Sequence, residues 1–525
     1  MIKRILFIGF VFISNYMLAQ SHITYAGQVQ YDVRSASLTR YVDDLGNEYA
    51  LIGTYNATSI VDITDPTAPV ELFYVPGPLG IWREMKTYNH HAYITNETDS
   101  GLQIIDLTNL PLSVESSYLK FAGGDSLNSA HTIYIDENGL AYLFGANTDS
   151  GGATILDLNI DPVNPPKVGS YDGNYIHDGF VRGDTLWAGF IYTGKVGVVD
   201  VSDKTSPVLL AEQLTPFAFT HNCWLSDDGN FLFTTDERPG AFVAAYDVSD
   251  ITDIKEVGRF QSHPGTEVIP HNVYWLNNYL VIAYYRDGVI IVDATKPDNM
   301  IQVGNYDTSP FEPAGLFNGC WGVDPYLPSG NIIASDIEEG LFILQPDYHR
   351  ASYLEGTITD ELNPDVPVNA KVEIMGTSDF DLVDFTGSYK TGTSEAGIYD
   401  VRISKAGCYT KIIPGVELFE SATNILNESI ACTLLVDNTD MQQQIYLEAF
   451  PNVFQNTTTI KYILPSTMNY AQLNIFDIAG NKMNTYSISN SAGEIYFGDE
   501  LNNGMYLIQL IAEDKSVKVF KVVKG

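Results

Sequence analysis

The chain of 525 residues carries 65 Asp and Glu against 28 Lys and Arg, a net charge of −37. At about 100–200 residues per domain it holds several domains, and its charge repels phosphate backbones and anionic headgroups, which excludes nucleic acid and anionic membranes as natural partners. With 45% hydrophobic and only 18% charged residues the bulk is not disordered, and 43 Gly, 33 Tyr and 25 Phe suit an all-β protein rich in turns. Four cysteines are too few for a disulfide framework or a Cys₄ zinc module.

Residues 1–20 begin with Lys3 and Arg4, continue as an apolar run from Ile5 to Leu18 broken by Ser14 and Asn15, and end on Ala19 and Gln20. This order predicts a secretory signal peptide, with a retained N-terminal anchor as the alternative. The run is short for a membrane span of about 20 residues, and nothing later approaches one. The mature chain is therefore expected to lack a transmembrane span.

From 22 to 350 one phrase recurs: three apolar residues, Asp, an apolar residue, then a polar turn. It reads Ile60-Val61-Asp62-Ile63, Ile104-Ile105-Asp106-Leu107, Ile155-Leu156-Asp157-Leu158, Val198-Val199-Asp200-Val201, Ala245-Tyr246-Asp247-Val248 and Ile291-Val292-Asp293-Ala294, and ends at Phe342-Ile343-Leu344-Gln345. Spacings of 43 to 52 residues mean a solenoid or propeller, and helical periodicity is absent. Each unit offers four β runs, as at 222–225, 231–235, 242–248 and 256–260, which describes a propeller blade. Seven phrases predict a seven-bladed β-propeller. The last unit lacks an outermost strand, and residues 23–30 are predicted to supply it, which removes two exposed sheet edges. The phrase resembles the LVIVD repeat, and about 60% of the chain resembles secreted "choice-of-anchor" propellers. The resemblance implies the architecture and no established reaction.

Residues 352–435 hold Gly356-Thr357-Ile358-Thr359-Asp360, Pro367-Val368-Asn369-Ala370-Lys371-Val372 and Ala396-Gly397-Ile398-Tyr399. The order resembles carboxypeptidase regulatory-like domains and implies a prealbumin-like sandwich, a spacer or binding module. Cys408 and Cys432 can bridge within it, because a secreted chain meets oxidising conditions. The polar stretch 436–446 reads as a linker.

Residues 447–525 alternate as short strands, at 458–462, 473–477 and 506–510, and predict a second small β-sandwich. Phe450-Pro451-Asn452-Val453-Phe454, Asp477-Ile478-Ala479-Gly480 and Leu501-Asn502-Asn503-Gly504-Met505-Tyr506 resemble the C-terminal sorting domain of the type IX secretion system. Val453 departs from that pattern, where a second proline is usual. The resemblance implies the secretion machinery as a partner, transport across an outer membrane, and then removal of the domain or attachment at the cell surface.

A second repeated position lies 22 to 28 residues before each phrase and opens each innermost strand: Arg34, Arg83, His131, His177, His221, His271 and Asn318. These seven side chains are expected at one level around the central channel. A structural ring, bonded to neighbouring backbone, is one reading. The others are a cationic site for a small anion, or a metal on neutral imidazoles. Arg34 and Arg83 oppose a metal, since a guanidinium stays charged, so no metal or cofactor is assigned. The repeated Asp residues are expected to cap turns. Glu97, Asp236, Glu237 and Asp336, at second-strand ends, are candidates for a carboxylate pair. Asp-Glu-Asn-Gly at 136–139 and Asp-Asp-Gly-Asn at 227–230 are too short for calcium loops and read as tight turns. No G-x-S-x-G elbow occurs, Cys223 and Cys320 read as core, and the five tryptophans are expected between blades. The reading is a secreted or cell-surface binding propeller for an unknown extracellular ligand, namely a small anion, a glycan or a protein. A hydrolase or lyase using ring histidines and a carboxylate is the alternative, and a purely adhesive surface protein is a third.

Overall fold

A computed structural model describes residues 21–309, 317–364, 366–384, 386–432, 446–452, 454–464, 471–477, 481–488, 492–512 and 515–525. The expected signal peptide, most of the 436–446 linker, Val453 and the Ala479-Gly480 turn lie outside these residues. The described chain is built from strands, and its helical content is one 3₁₀ turn, Asp149–Gly151.

Seven antiparallel sheets of four strands occupy residues 23–346. Their innermost strands are Ser35–Val42, Met85–Tyr88, Thr132–Ile135, Gly179–Arg182, Thr220–Leu225, Val273–Leu276 and Cys320–Asp324. Each sheet packs on the next near these strands, and the seventh packs on the first, as blades do in a propeller. Apolar side chains fill each gap between blades. Leu38, Ile52, Val61 and Ile63 of the first meet Leu327, Ile333, Leu341 and Ile343 of the seventh.

The third strand of each of the first six blades ends at the repeated Asp, and the reason is local. Oδ1 of Asp62, Asp106, Asp157, Asp200, Asp247 and Asp293 each accepts the backbone N–H two residues on, at 2.8–3.0 Å. The carboxylate thus starts the turn to the outer strand, the structural role expected of it. A shift of register falls just before the Asp in five of these blades, between Ile60 and Val61, for example.

The seventh blade is completed from the other end of the chain. Ile23–Val29 pairs antiparallel with Gly340–Pro346, from Ile23 opposite Pro346 to Val29 opposite Leu341. Gly27 sits at the bulge in this pairing, where a Cβ would lie 2.3 Å from the Pro66 carbonyl oxygen of the first blade, so the close approach requires glycine.

Residues 352–431 form two further sheets, one around Ser352–Asp360 and one of Lys371–Ile374, Phe380–Leu382, Gly397–Ser404 and Lys411–Leu418. They are held on the sixth blade. Lys296 pairs with Glu355 and Lys390 with Asp298, Asn299 donates to Glu355 at 2.9 Å, and Arg350 bonds Asp293 at 3.0 Å. The chain divides into two compact units, 1–405 with 410–431, and 406–409 with 432–525. In the second, a three-stranded and a four-stranded sheet share one core of Leu447, Ile460, Tyr462, Leu473, Ile475, Ile508, Leu510 and Val522. Cys408 and Cys432 form a disulfide.

Two outcomes follow from this division. A mature chain starting at Val33 loses the outer strand of the seventh blade, and calorimetric melting should show it destabilised by several kcal/mol. A chain ending at Val436 keeps the first unit and the disulfide, and should melt cooperatively at the temperature of the corresponding transition in the full chain.

Candidate functional site

The ring residues are positioned by backbone bonds at both ends of a peptide unit. The N–H groups of His131, His177 and His271 donate to the second strand of their own blade, at Phe144, Gly189 and Ala283, each at 2.9 Å. Their carbonyls accept from hydroxyls of the preceding blade: Thr95 to His131 at 3.0 Å, Thr132 to His177 at 2.7 Å and Thr235 to His271 at 2.6 Å. At His221 the blades come closer. A Cβ on Gly189 would stand 2.8 Å from the His221 carbonyl oxygen, so no side chain fits there. Each of the four histidines is thereby held between two blades.

Six of the seven ring residues line a cavity of about 330 Å³ at one mouth of the channel: Arg34, Arg83, His131, His177, His221 and His271. The four imidazoles form an arc, with ring centroids 4.1, 4.3 and 4.3 Å apart in that order. Asn318 is not part of the lining. Its amide donates to Glu338 at 2.8 Å, which ties it to its own blade. Arg83 is buried, and its guanidinium donates to the Pro78 carbonyl. Arg34 is exposed at the rim.

The charge of the ring differs from the cationic patch expected. Burial, reinforced by the neighbouring imidazoles, pushes His177 and His221 well below the usual histidine range, and burial holds His271 at about 3. Three imidazoles are therefore neutral at physiological pH. The cavity also contains Glu84, Asp178 and Glu237, each pushed upward by burial. The sequence singled out the histidines and, among the second-strand acids, Glu237, but not Glu84 or Asp178, which the close packing of blades brings beside them.

Glu237 is the centre of the arrangement. Its Oε1 accepts from the Tyr285 hydroxyl at 2.6 Å and lies 3.8 Å from Nε2 of His271, while its Oε2 lies 3.9 Å from Nε2 of His221. Nδ1 of His271 bonds the Trp321 carbonyl oxygen in the next blade. A structural role is thus real for His271, as a bond to neighbouring backbone. Nδ1 of His177 and of His221 is buried without a hydrogen-bond partner among the described residues.

The other second-strand acids separate by role. Glu97 pairs with His131 at 2.5 Å. Asp236 accepts from Thr215 at 2.6 Å and from two backbone N–H groups, and Asp336 from Thr308 at 2.7 Å and two more. These two carboxylates are structural. The turns at 136–140 and 228–230 are closed by Asp136 and Asp228 on backbone N–H groups, as expected of tight turns. Cys223 and Cys320 are buried, and burial pushes both thiols well above the usual range. Trp82 departs from the expected position between blades: it is 51% exposed, on the rim of the cavity with half-exposed Phe317.

The fold and this channel define an all-β repeat protein with a polar, histidine-lined mouth. Comparison with known families finds the LVIVD repeat at residues 45–76, 191–215 and 271–308, and the secretion system C-terminal sorting domain at 448–524. The chain thus carries LVIVD repeats and a type IX sorting domain, which directs it to the cell surface or the extracellular space. No curated protein matches it. No helix among the described residues is long and apolar enough to cross a membrane.

Asp336 gives a test of the buried acids. Burial raises its carboxyl from 3.8 to about 6, so the folded state holds a proton that the unfolded state has lost between these values. Stability contributed by this group is full below pH 3.8 and falls as pH rises through 6, by at most about 1.4 kcal/mol per unit. Asp336→Asn keeps the acceptor for the backbone N–H groups, and denaturant titrations from pH 4 to 7 should show that part of the slope removed.

Proposed function

We propose that this secreted or cell-surface protein takes a small polar ligand into the channel mouth, with a saccharide unit as the best fit. The cavity of about 330 Å³ carries this reading. It joins an aromatic rim, Trp82 and Phe317, to neutral imidazoles and acids, the mix of apolar wall and few oriented polar groups that small-ligand sites use. Free anions are disfavoured among the ligand classes, because three imidazoles are held neutral and three carboxylates share the site. The remaining segments are read as a propeller at 22–350, a carboxypeptidase regulatory-like spacer at 352–435, a linker at 436–446 and the sorting domain from 447.

A second reading, acid–base catalysis at the same mouth, is favoured by Glu237. Its raised carboxyl lies within 3.9 Å of two imidazoles and bonds Tyr285, an arrangement suited to proton transfer.

Calorimetric titration of the full chain with a panel of mono- and oligosaccharides, set against sulfate and acetate, tests the first reading. A saccharide should bind, and Trp82→Ala should weaken it about tenfold, equivalent to the 1.4 kcal/mol within reach of one aromatic contact. A panel in which only sulfate or acetate binds, or a Trp82→Ala variant that binds as tightly, would reject it. Turnover of a bound saccharide that stops in Glu237→Gln would establish the second reading.

A further inference from the structure

We propose that His221, His271 and Glu237 form a binding site for one divalent transition-metal ion, with a coordination position open to the channel mouth. The three come from separate places: His221 within the inner strand Thr220–Leu225, Glu237 just beyond the second strand Phe231–Asp236, and His271 before the inner strand Val273–Leu276. Their ligand atoms nonetheless all lie within 4.8 Å of one another, with both imidazole–carboxylate pairs under 4 Å. Ligand bonds of about 2.0–2.1 Å in a tetrahedral site put ligand atoms about 3.4 Å apart. A contraction of about half an ångström along each imidazole–carboxylate pair, with the two imidazoles drawn in together, would therefore seat the ion.

The surroundings orient these groups as metal ligands require. A carbonyl oxygen only accepts hydrogen bonds, so the contact to Trp321 places the proton of His271 on Nδ1 and leaves Nε2 bare towards Glu237. The Tyr285 hydroxyl fixes Glu237 by donating to Oε1, which leaves Oε2 free towards His221. Both histidines are buried, at 4% and 3% exposure, and Glu237 has no Lys or Arg ion pair among the described residues. One carboxylate and two imidazoles thus face one another at the mouth without a resident cation from the protein among the described residues, and a metal ion would bond to all three.

Of the two guanidiniums that would oppose a cation, that of Arg83 donates to the Pro78 carbonyl, and that of Arg34 is exposed at the rim, where solvent screens it. Two imidazoles and one carboxylate suit zinc or copper better than magnesium or calcium, and three protein ligands with an open fourth position are the pattern of reactive rather than structural sites. The open position faces the cavity, where His177 is the next imidazole along the arc. This site is independent of the saccharide reading, since an ion can bind whether or not a sugar does.

The full chain, stripped with chelator, should bind one equivalent of Zn²⁺ in calorimetric titration and melt at a higher temperature when loaded. His271→Gln and Glu237→Gln should each weaken Zn²⁺ binding by about 100-fold or more, since loss of even an outer partner costs roughly 10–100-fold. Glu237→Gln retains the acceptor for Tyr285, so its melting curve without metal should remain cooperative. A second cluster, His22, His349 and Glu395, is partly exposed and serves as the control, and His349→Ala should leave the equivalent of Zn²⁺ in place. Absence of zinc binding, or its loss in His349→Ala with retention in the other two variants, would overturn the proposal. Should both channel variants fail to fold, pulsed electron paramagnetic resonance of Cu²⁺ in His349→Ala decides: two coupled imidazole nitrogens support the site, and none refutes it. Saccharide binding by the stripped protein, measured alongside, separates failure of the metal site from failure of the ligand reading.

Discussion

Antiparallel pairing of Ile23–Val29 with Gly340–Pro346 joins segments separated by most of the first unit, and the ring of blades depends on it. Without it the seventh blade has three strands and an open outer edge, and it is held beside the first by their apolar layer, the Arg40–Asp324 ion pair and the hydrogen bonds of Ser35 to Ile337 and of Ser329 to Glu48. With it, Gly27 lies against the Pro66 carbonyl and the apolar layer between the seventh and first blades is enclosed. Closure also fixes the channel, because the position of each inner strand is set by both neighbours. A contact such as His271 to the Trp321 carbonyl exists only when sixth and seventh blades are in register around the ring.

The acids and histidines of the mouth are consequences of that geometry. Each blade places the residue before or at the start of its inner strand at the channel wall, and second strands end next to the following blade. A second-strand acid such as Glu237 in the fifth blade is therefore delivered to the histidine of the sixth. The same placement gives Glu97 of the second blade to His131 of the third. The two pairs differ in exposure: the Glu97 carboxylate is far more open to water than that of Glu237. Repetition of one motif has thus produced one partly exposed carboxylate–imidazole pair and one more enclosed cluster.

What the sequence made legible was what is local or periodic. The Asp phrase is a turn signal whose hydrogen bond spans two residues, so its meaning survives without knowledge of the fold. The outer strand at 23–30 was legible because the last repeat was one strand short. The ring positions followed from spacing, and six of the seven reach the cavity. Asn318 did not, because Glu338 two residues past its second strand offers a nearer partner than the channel. The sign of charge was illegible for a different reason: it depends on how much water each imidazole loses, and that is decided by neighbours in the adjoining blades, up to about 50 residues away in sequence. Tyr285 and Trp321 were equally hidden as partners, since nothing in their local sequence says which carboxylate or imidazole they will face.

Burial of so many ionisable groups at one end of a channel carries a cost that packing alone does not explain. Arg83 leaves Nε and Nη1 without partners among the described residues, and two imidazoles leave Nδ1 bare. Apolar replacements of similar volume would avoid this cost, as they do for many buried ion pairs. Unpartnered buried atoms also occur away from the cavity, as at Thr58, Gln103, Tyr246 and Tyr353, but those are neutral groups, whereas the ones at the mouth belong to a guanidinium and two imidazoles. Burying groups that can carry charge costs more than burying a hydroxyl or an amide, and a binding or reactive site retains them where stability alone would remove them. The acidic surface of the molecule adds to this at long range. With a net charge of −37, the field outside favours approach of cations to the mouth, where Glu237 is the carboxylate that two neutral imidazoles already face.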